Sequence, residues 1–278
     1  MTLRLALASA ILLLLAACTA ATPAERQAQA DRIAGRGALV PLMIGTPDFD
    51  LHARLKTNGT DGTLVVYIEG DGFAWKRINE RSADPTPLNP LALRLAVLDT
   101  SPSVAWLARP CQFTGGEAAR GCNSDLWTGA RYSEAVIAAS NAAIDVLKQM
   151  SGANRIALVG YSGGGAVAAL TAMRRIDVIW LKTVASPLDT SAFTAHHMVT
   201  PLSASLNPAD RASALAALPQ THYAGTRDDV VPPSINRTFR ARMGETRCIR
   251  LEELQGASHD DGWEKMWSTL AAEKPACH

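Results

Sequence analysis

The chain lacks a charge imbalance: 27 Lys and Arg stand against 26 Asp and Glu, a formal net charge of +1, with no basic run. Nucleic-acid binding therefore has no electrostatic support. Metal-ligand spacing is also missing, since no Cys-x-x-Cys pair and no His-rich tract occurs. Gly163-Gly164-Gly165 lacks the Gly-Lys-Ser/Thr ending of a phosphate loop, which argues against phosphoryl transfer. No internal repeat is visible. The apolar run Leu5–Ala17 is too short to span a membrane as a free helix. Cysteine is scarce, at five. No metal or organic cofactor is expected.

What is present centres on Gly160-Tyr161-Ser162-Gly163-Gly164, a Gly-x-Ser-x-Gly pattern. The apolar run Arg155–Val159 precedes it and reads as a buried parallel strand. Gly165–Met173 follows and reads as a helix. Strand, sharp turn and helix form the setting of a nucleophile elbow, which lifts a serine above the carboxyl end of a sheet. Ser162 then sits at a helix N-terminus, where backbone N–H groups favour developing negative charge.

Such a serine needs a base and an acid, in the order Ser, Asp or Glu, His. His259 lies in a Gly-bounded polar loop between an apolar run and a helix-like run, where the base belongs. His222 falls inside a strand-like run and reads as a packed histidine. His278 is terminal, and His196 and His197 fall in an insertion. For the acid, Tyr223–Pro232 offers Asp228 and Asp229, and Asp189 is a third candidate just past an earlier strand. Adjacent aspartates point in different directions, so one of the pair faces the histidine. Periodicity does not choose between them.

With these motifs in order, residues 51–271 resemble an α/β-hydrolase. The resemblance implies a mostly parallel central sheet with helices on both faces. The family's Gly-x-x-Asp-x-x-Val-Pro pattern matches Gly225, Asp228, Val231 and Pro232, which favours Asp228. The family also draws an oxyanion-hole donor from the loop after an early strand. Here that strand is Thr63–Ile68 and the loop is Glu69-Gly70-Asp71-Gly72-Phe73-Ala74-Trp75. Many relatives have His-Gly where this chain has Glu69-Gly70. Asp71 is the expected N–H donor, with Gly72 as the alternative and Gly163 as the second donor. A carboxylate beside an oxyanion is unfavourable unless it points away or is paired. Phe73, Trp75, Tyr161 and Phe193 are expected to wall an acyl pocket. The implied activity is that of a serine hydrolase acting on an uncharged or weakly polar carboxylic ester. An amide or peptide hydrolase with the same three residues is an alternative, as is a non-catalytic lipoprotein on a hydrolase scaffold.

The N-terminus reads as a leader. Arg4 precedes the apolar run, and Leu15-Ala16-Ala17-Cys18 resembles a bacterial lipobox. The expectation is cleavage before Cys18, lipidation of that cysteine, and a place in the cell envelope. Thr19 rather than Asp favours the outer membrane, facing the periplasm. Simple secretory cleavage and an uncleaved anchor are the alternatives. Residues 18–38 read as a tether to one domain over residues 39–278, with a cap-like insertion at about 189–219. Four cysteines remain, an even number that suits disulfides in an exported protein. Of three possible pairings, the nearest-neighbour one joins Cys111 to Cys122 and Cys248 to Cys277. Each bond would add about 2–4 kcal/mol.

Past the tether, strand-like runs lie at 51–56, 64–68, 103–107, 156–159, 180–184, 221–224 and 248–253. Helical runs lie at 91–98, 133–150, 164–174, 235–243 and 263–270. This alternation also predicts a parallel sheet covered on both faces. Trp106, Trp127 and Trp180 read as core.

Overall fold

A computed structural model describes residues 21–58 and 62–278. The leader and Cys18 lie outside the described residues. Along the chain come α1 (Pro23–Gly35), β1 (Val40–Gly45), β2 (Asp50–Thr57), β3 (Thr63–Ile68), β4 (Trp75–Arg77), β5 (Glu80–Arg81) and α2 (Leu91–Leu98). Then follow β6 (Ser103–Leu107), α3 (Glu134–Ser151), β7 (Arg155–Tyr161), α4 (Gly163–Ala172), β8 (Val178–Val184) and α5 (Thr190–His196). The chain ends with β9 (Gln220–Gly225), α6 (Pro233–Arg242), β10 (Ile249–Leu254) and α7 (Trp263–Ala272).

The main sheet has eight strands in the order β1-β2-β6-β3-β7-β8-β9-β10. From β6 to β10 all neighbours are parallel, whereas β2 runs antiparallel to both β1 and β6. The apolar strand runs follow from burial on both faces. In β3, Leu64, Val66 and Ile68 join the core beneath α3, α4 and α6. Val65 and Tyr67 point the other way, into a second core under α1, α2 and α7. Trp106, Trp127 and Trp180 are all buried.

Two expectations are corrected here. The tether expected over 18–38 contains α1, and this helix belongs to the folded body. Thr22 and Glu25 form a capping box at its start, and Ala30 and Ala34 are fully buried in the second core. The folded part therefore includes α1 and its Thr22 cap and does not start at residue 39. Strand β1 is an added edge strand. Pro41 is tolerated there because an edge strand leaves one side of its ladder unpaired. The insertion at 189–219 divides in two. Its first part is α5, and its second, a 3-10 stretch at Pro208–Leu215, sends Ala209, Ala212 and Leu215 into the core.

Both expected disulfides are formed, Cys111–Cys122 and Cys248–Cys277. The first closes the long loop between β6 and α3. The second ties the C-terminal tail to the start of β10.

Two buried histidines set a prediction. Burial lowers His52 to about 4 and His222 to about 3. His222 is a core residue, bonded through Nδ1 to Thr183 Oγ1 (2.8 Å) and through Nε2 to Gln220 Oε1 (3.0 Å). Below about pH 6.5 the unfolded chain takes up protons that the folded chain refuses, so stability falls as pH falls. The loss is about 1.4 kcal/mol per histidine for each pH unit between about 6.5 and 4. Urea midpoints measured across that window should drop accordingly, and the drop should shrink in His222→Gln. A midpoint flat from pH 7 to pH 4 would contradict this.

Candidate active site

Ser162 sits between the end of β7 and the start of α4 with φ 49° and ψ −126°. This backbone conformation is strained for a residue with a side chain. Close packing around the turn holds it there. The Ser162 N–H donates to Val184 O (2.9 Å), and Ser162 O accepts from Gly165 N–H (2.9 Å). A methyl group added at Gly164 would lie 2.3 Å from Ile68 O, so α4 could not approach β3 with any larger residue there.

His259 reaches the serine from the loop between β10 and α7. Its Nε2 lies 3.0 Å from Ser162 Oγ and its Nδ1 lies 3.1 Å from Asp228 Oδ2. A carboxylate only accepts, so the fitting tautomer carries its proton on Nδ1 and donates to Asp228. Nε2 is then free to accept from the serine hydroxyl. Asp228 is itself pinned, because its Oδ1 accepts from Val230 N–H (2.9 Å) and Val231 N–H (2.7 Å). It is buried, whereas Asp229 is exposed. Asp189, the third candidate, caps α5 by accepting from Ala192 N–H (3.1 Å). The structure thus brings Ser162, His259 and Asp228 together and leaves Asp229 and Asp189 out. His196 and His197 also stand apart from the serine, and His197 Nε2 contacts Val230 O (2.7 Å).

The two acidic residues of the loop after β3 are both satisfied. Glu69 is buried and turns toward α2. Its carboxylate accepts from Gly70 N–H and Trp106 Nε1–H (both 3.0 Å) and from Ala92 N–H and Leu93 N–H (both 3.3 Å). It caps α2 from a distance, since Pro90 at the helix start has no side-chain acceptor. Burial holds the Glu69 carboxyl above its ordinary value, and these N–H donors offset only part of that rise. Asp71 keeps its carboxylate beside α4, where a methyl group added at Gly163 would lie 2.0 Å from Oδ1. Burial alone would raise Asp71, but Arg131 and Arg109 outweigh it and hold the carboxyl below its ordinary value. Arg109 Nη1 donates to Oδ1 (3.1 Å), Arg131 Nη1 to Oδ2 (2.8 Å), and the Tyr132 hydroxyl to Oδ2 (3.2 Å). The Asp71 N–H and the Gly163 N–H donate to no protein group among the described residues.

Sequence reasoning missed this buttress. Besides Arg109 and Arg131, Gln112 Nε2 donates to Gly70 O (2.9 Å) while its Oε1 accepts from Arg109 N–H (3.1 Å). All three residues lie on the connection between β6 and α3, within which the Cys111–Cys122 bond closes a shorter loop. The one available signal was Arg109, a charged residue two positions past a buried strand and two before a cysteine.

A cavity of about 420 Å³ opens over Ser162. Phe73, Trp75 and Tyr161 line it as expected, with Phe193 of α5 and Leu88 beside them. Arg131 and Asp260 also line it, so the wall is less uniformly apolar than the sequence suggests. Among the described residues no group of three His, Cys, Asp or Glu side chains is placed to hold a metal ion.

No protein-family model matches the sequence, and no curated protein matches it. Solved structures do. An esterase from Pyrococcus furiosus, Pf2001, is 16% identical with a TM-score of 0.60, covering 84% of this chain and 88% of its own. An alpha-beta serine hydrolase homologue from Coxiella burnetii is 16% identical with a TM-score of 0.56, covering 83% of this chain and 93% of its own. A puromycin-hydrolyzing peptidase from Mycobacterium tuberculosis is 17% identical with a TM-score of 0.56, covering 83% of this chain but only 37% of that longer one. Sheet order, elbow position and these likenesses agree that this chain has the α/β-hydrolase fold.

Proposed function

We propose that the chain is a serine hydrolase that cleaves carboxylic esters. The observation that carries this reading is the hydrogen-bonded line from Ser162 through His259 to Asp228, set on a strained turn at the floor of a cavity. Ser162 Oγ attacks the ester carbonyl carbon while His259 Nε2 takes its proton. Asp228 holds the Nδ1–H and stabilises the imidazolium that forms. The oxyanion accepts from the Asp71 and Gly163 N–H groups. Collapse expels the alcohol, which takes the proton back from His259 and leaves an acyl group on Ser162. Water, deprotonated by His259, then attacks that acyl group and releases the acid and the serine. Pairing Asp71 with two arginines removes the charge conflict that a carboxylate at this place would otherwise create.

The ester reading favours an acyl chain lying along Phe73, Trp75, Tyr161 and Phe193. Burial there is worth about 0.8 kcal/mol per methylene, or roughly fourfold in rate. With p-nitrophenyl esters, kcat/KM should climb with chain length until the cavity is full and then fall. The matching p-nitroanilides should react far more slowly. A flat profile from acetate to octanoate would count against an acyl-binding cavity. Anilides cleaved as fast as esters would favour the amide reading.

The same proposal places the protein in a bacterial envelope as a lipoprotein anchored at Cys18, in the outer membrane facing the periplasm. The leader-like run, the Ala-Ala-Cys junction and the two disulfides support it.

A further inference from the structure

Large apolar side chains are exposed on two segments that adjoin the cavity lining. One is the hairpin of β4 and β5, with Trp75, a lining residue, 41% and Ile78 93% exposed. The other is the turn after α5, whose Phe193 lines the cavity and whose His197 touches Val230, with Met198 92% and Val199 53% exposed. Leu88 and Val230, also exposed, line the mouth itself. Exposed apolar groups gathered at one place on a surface mark a contact with another apolar phase.

The path of the N-terminus says what that phase is. Arg26, in the first turn of α1, donates to Thr86 O and Asp84 O, and its guanidinium lies 5.6 Å from the centre of the Phe73 ring. Phe73 and the neighbouring Pro87 line the cavity. Further along the helix, Asp31 pairs with Arg54 in the middle of β2. Helix α1 therefore points its N-terminus toward the carboxyl end of the parallel strands, where Ser162 sits. Thr22 starts that helix, four residues after Cys18. Four residues reach at most about 14 Å.

We propose that the cavity mouth rests on a phospholipid bilayer, with the β4–β5 hairpin and the Met198–Val199 turn dipping into its interface. This rests on the reading of Cys18 as a lipidated anchor. An acyl chain fixed at Cys18 holds the α1 end of the cavity rim close to the bilayer. The hairpin suits the headgroups, since Lys76, Arg77 and Arg81 against Glu80 and Asp125, the partner of Arg81, leave a net +1. Exposed Asp229 and Asp261 on the loops of Asp228 and His259 make that part of the rim acidic, so contact is assigned to the hairpin and the Met198–Val199 turn alone. The substrate class follows: acyl esters that partition into a membrane enter the cavity from the lipid without crossing water.

The test uses the full chain, purified from membranes in detergent and reconstituted into phosphatidylcholine–phosphatidylglycerol vesicles. Trp75 is the exposed tryptophan, the other five being at most 6% accessible. Lipids brominated near the headgroup should quench the emission that Trp75→Phe removes. Ile78→Glu with Met198→Glu should abolish that quenching and lower turnover of a vesicle-borne long-chain ester. Turnover of a short water-soluble ester should stay unchanged in that double variant. Intact mass reports Cys18 separately. An acylated Cys18 with unquenched Trp75 overturns the inference and leaves the anchor standing. An unmodified Cys18 with no vesicle binding overturns both. Loss of the short-ester activity in the double variant would show that the exposed residues serve folding, and would overturn the inference as well.

Discussion

Ser162→Ala is expected to lower ester turnover about a millionfold, leaving only what binding and the oxyanion hole supply. The structure makes this a clean experiment. The side-chain partner of Ser162 Oγ is His259 Nε2, so losing the hydroxyl strands no buried group. The turn is held by backbone bonds to Val184 and Gly165, and these do not need the side chain. Alanine also carries the same Cβ through the strained φ, so the elbow keeps its shape. Thermal midpoint and near-ultraviolet circular dichroism should match the wild type while kcat collapses. Near-wild-type turnover would remove Ser162 from the chemistry.

The second large effect separates the adjacent aspartates. Asp228→Asn is expected to lower kcat about ten-thousandfold. An asparagine can still accept at Oδ1 from the Val230 and Val231 N–H groups, so the loop persists. Its amide, however, faces His259 with a donor where an acceptor is required. The histidine then turns its proton toward Ser162 and loses its capacity as a base. Asp229→Asn should leave kcat within a factor of about two, because surface substitutions away from such contacts do little. The reverse ranking would move the acid to Asp229.

The parts of this molecule visible in its sequence are those governed by local rules. Leu91–Leu98 is helical with the expected bounds, and β3, β6 and β7 fall on their apolar runs. Doubly buried strands admit little else. Helix α1 was hidden because its composition is polar: one face of Ala30 and Ala34 does the packing, and its other anchors are the buried Arg26 and the Asp31–Arg54 pair. Nothing local announces that Arg26 will find two carbonyls some sixty residues away. The adjacent aspartates were separable by a family pattern, but the physical reason appears only when burial and the Oδ1 bonds are seen. Glu69 looked like an unpaired charge beside an oxyanion, and α2 resolves it by offering N–H groups from across the loop. The Arg109–Asp71–Arg131 bridge joins residues 38 and 60 positions apart, so no window of sequence contains it.

One covalent reaction tests the assignment of Ser162 most directly. A fluorophosphonate traps a serine only where a base deprotonates it and an oxyanion site receives the phosphoryl oxygen. Incubation with the probe followed by peptide mass spectrometry should place a single adduct on Ser162, in step with loss of esterase activity. The adduct should be absent in Ser162→Ala and strongly slowed in His259→Ala. An unlabelled Ser162 in folded protein, or an adduct on a different serine that tracks the activity, would contradict the assignment.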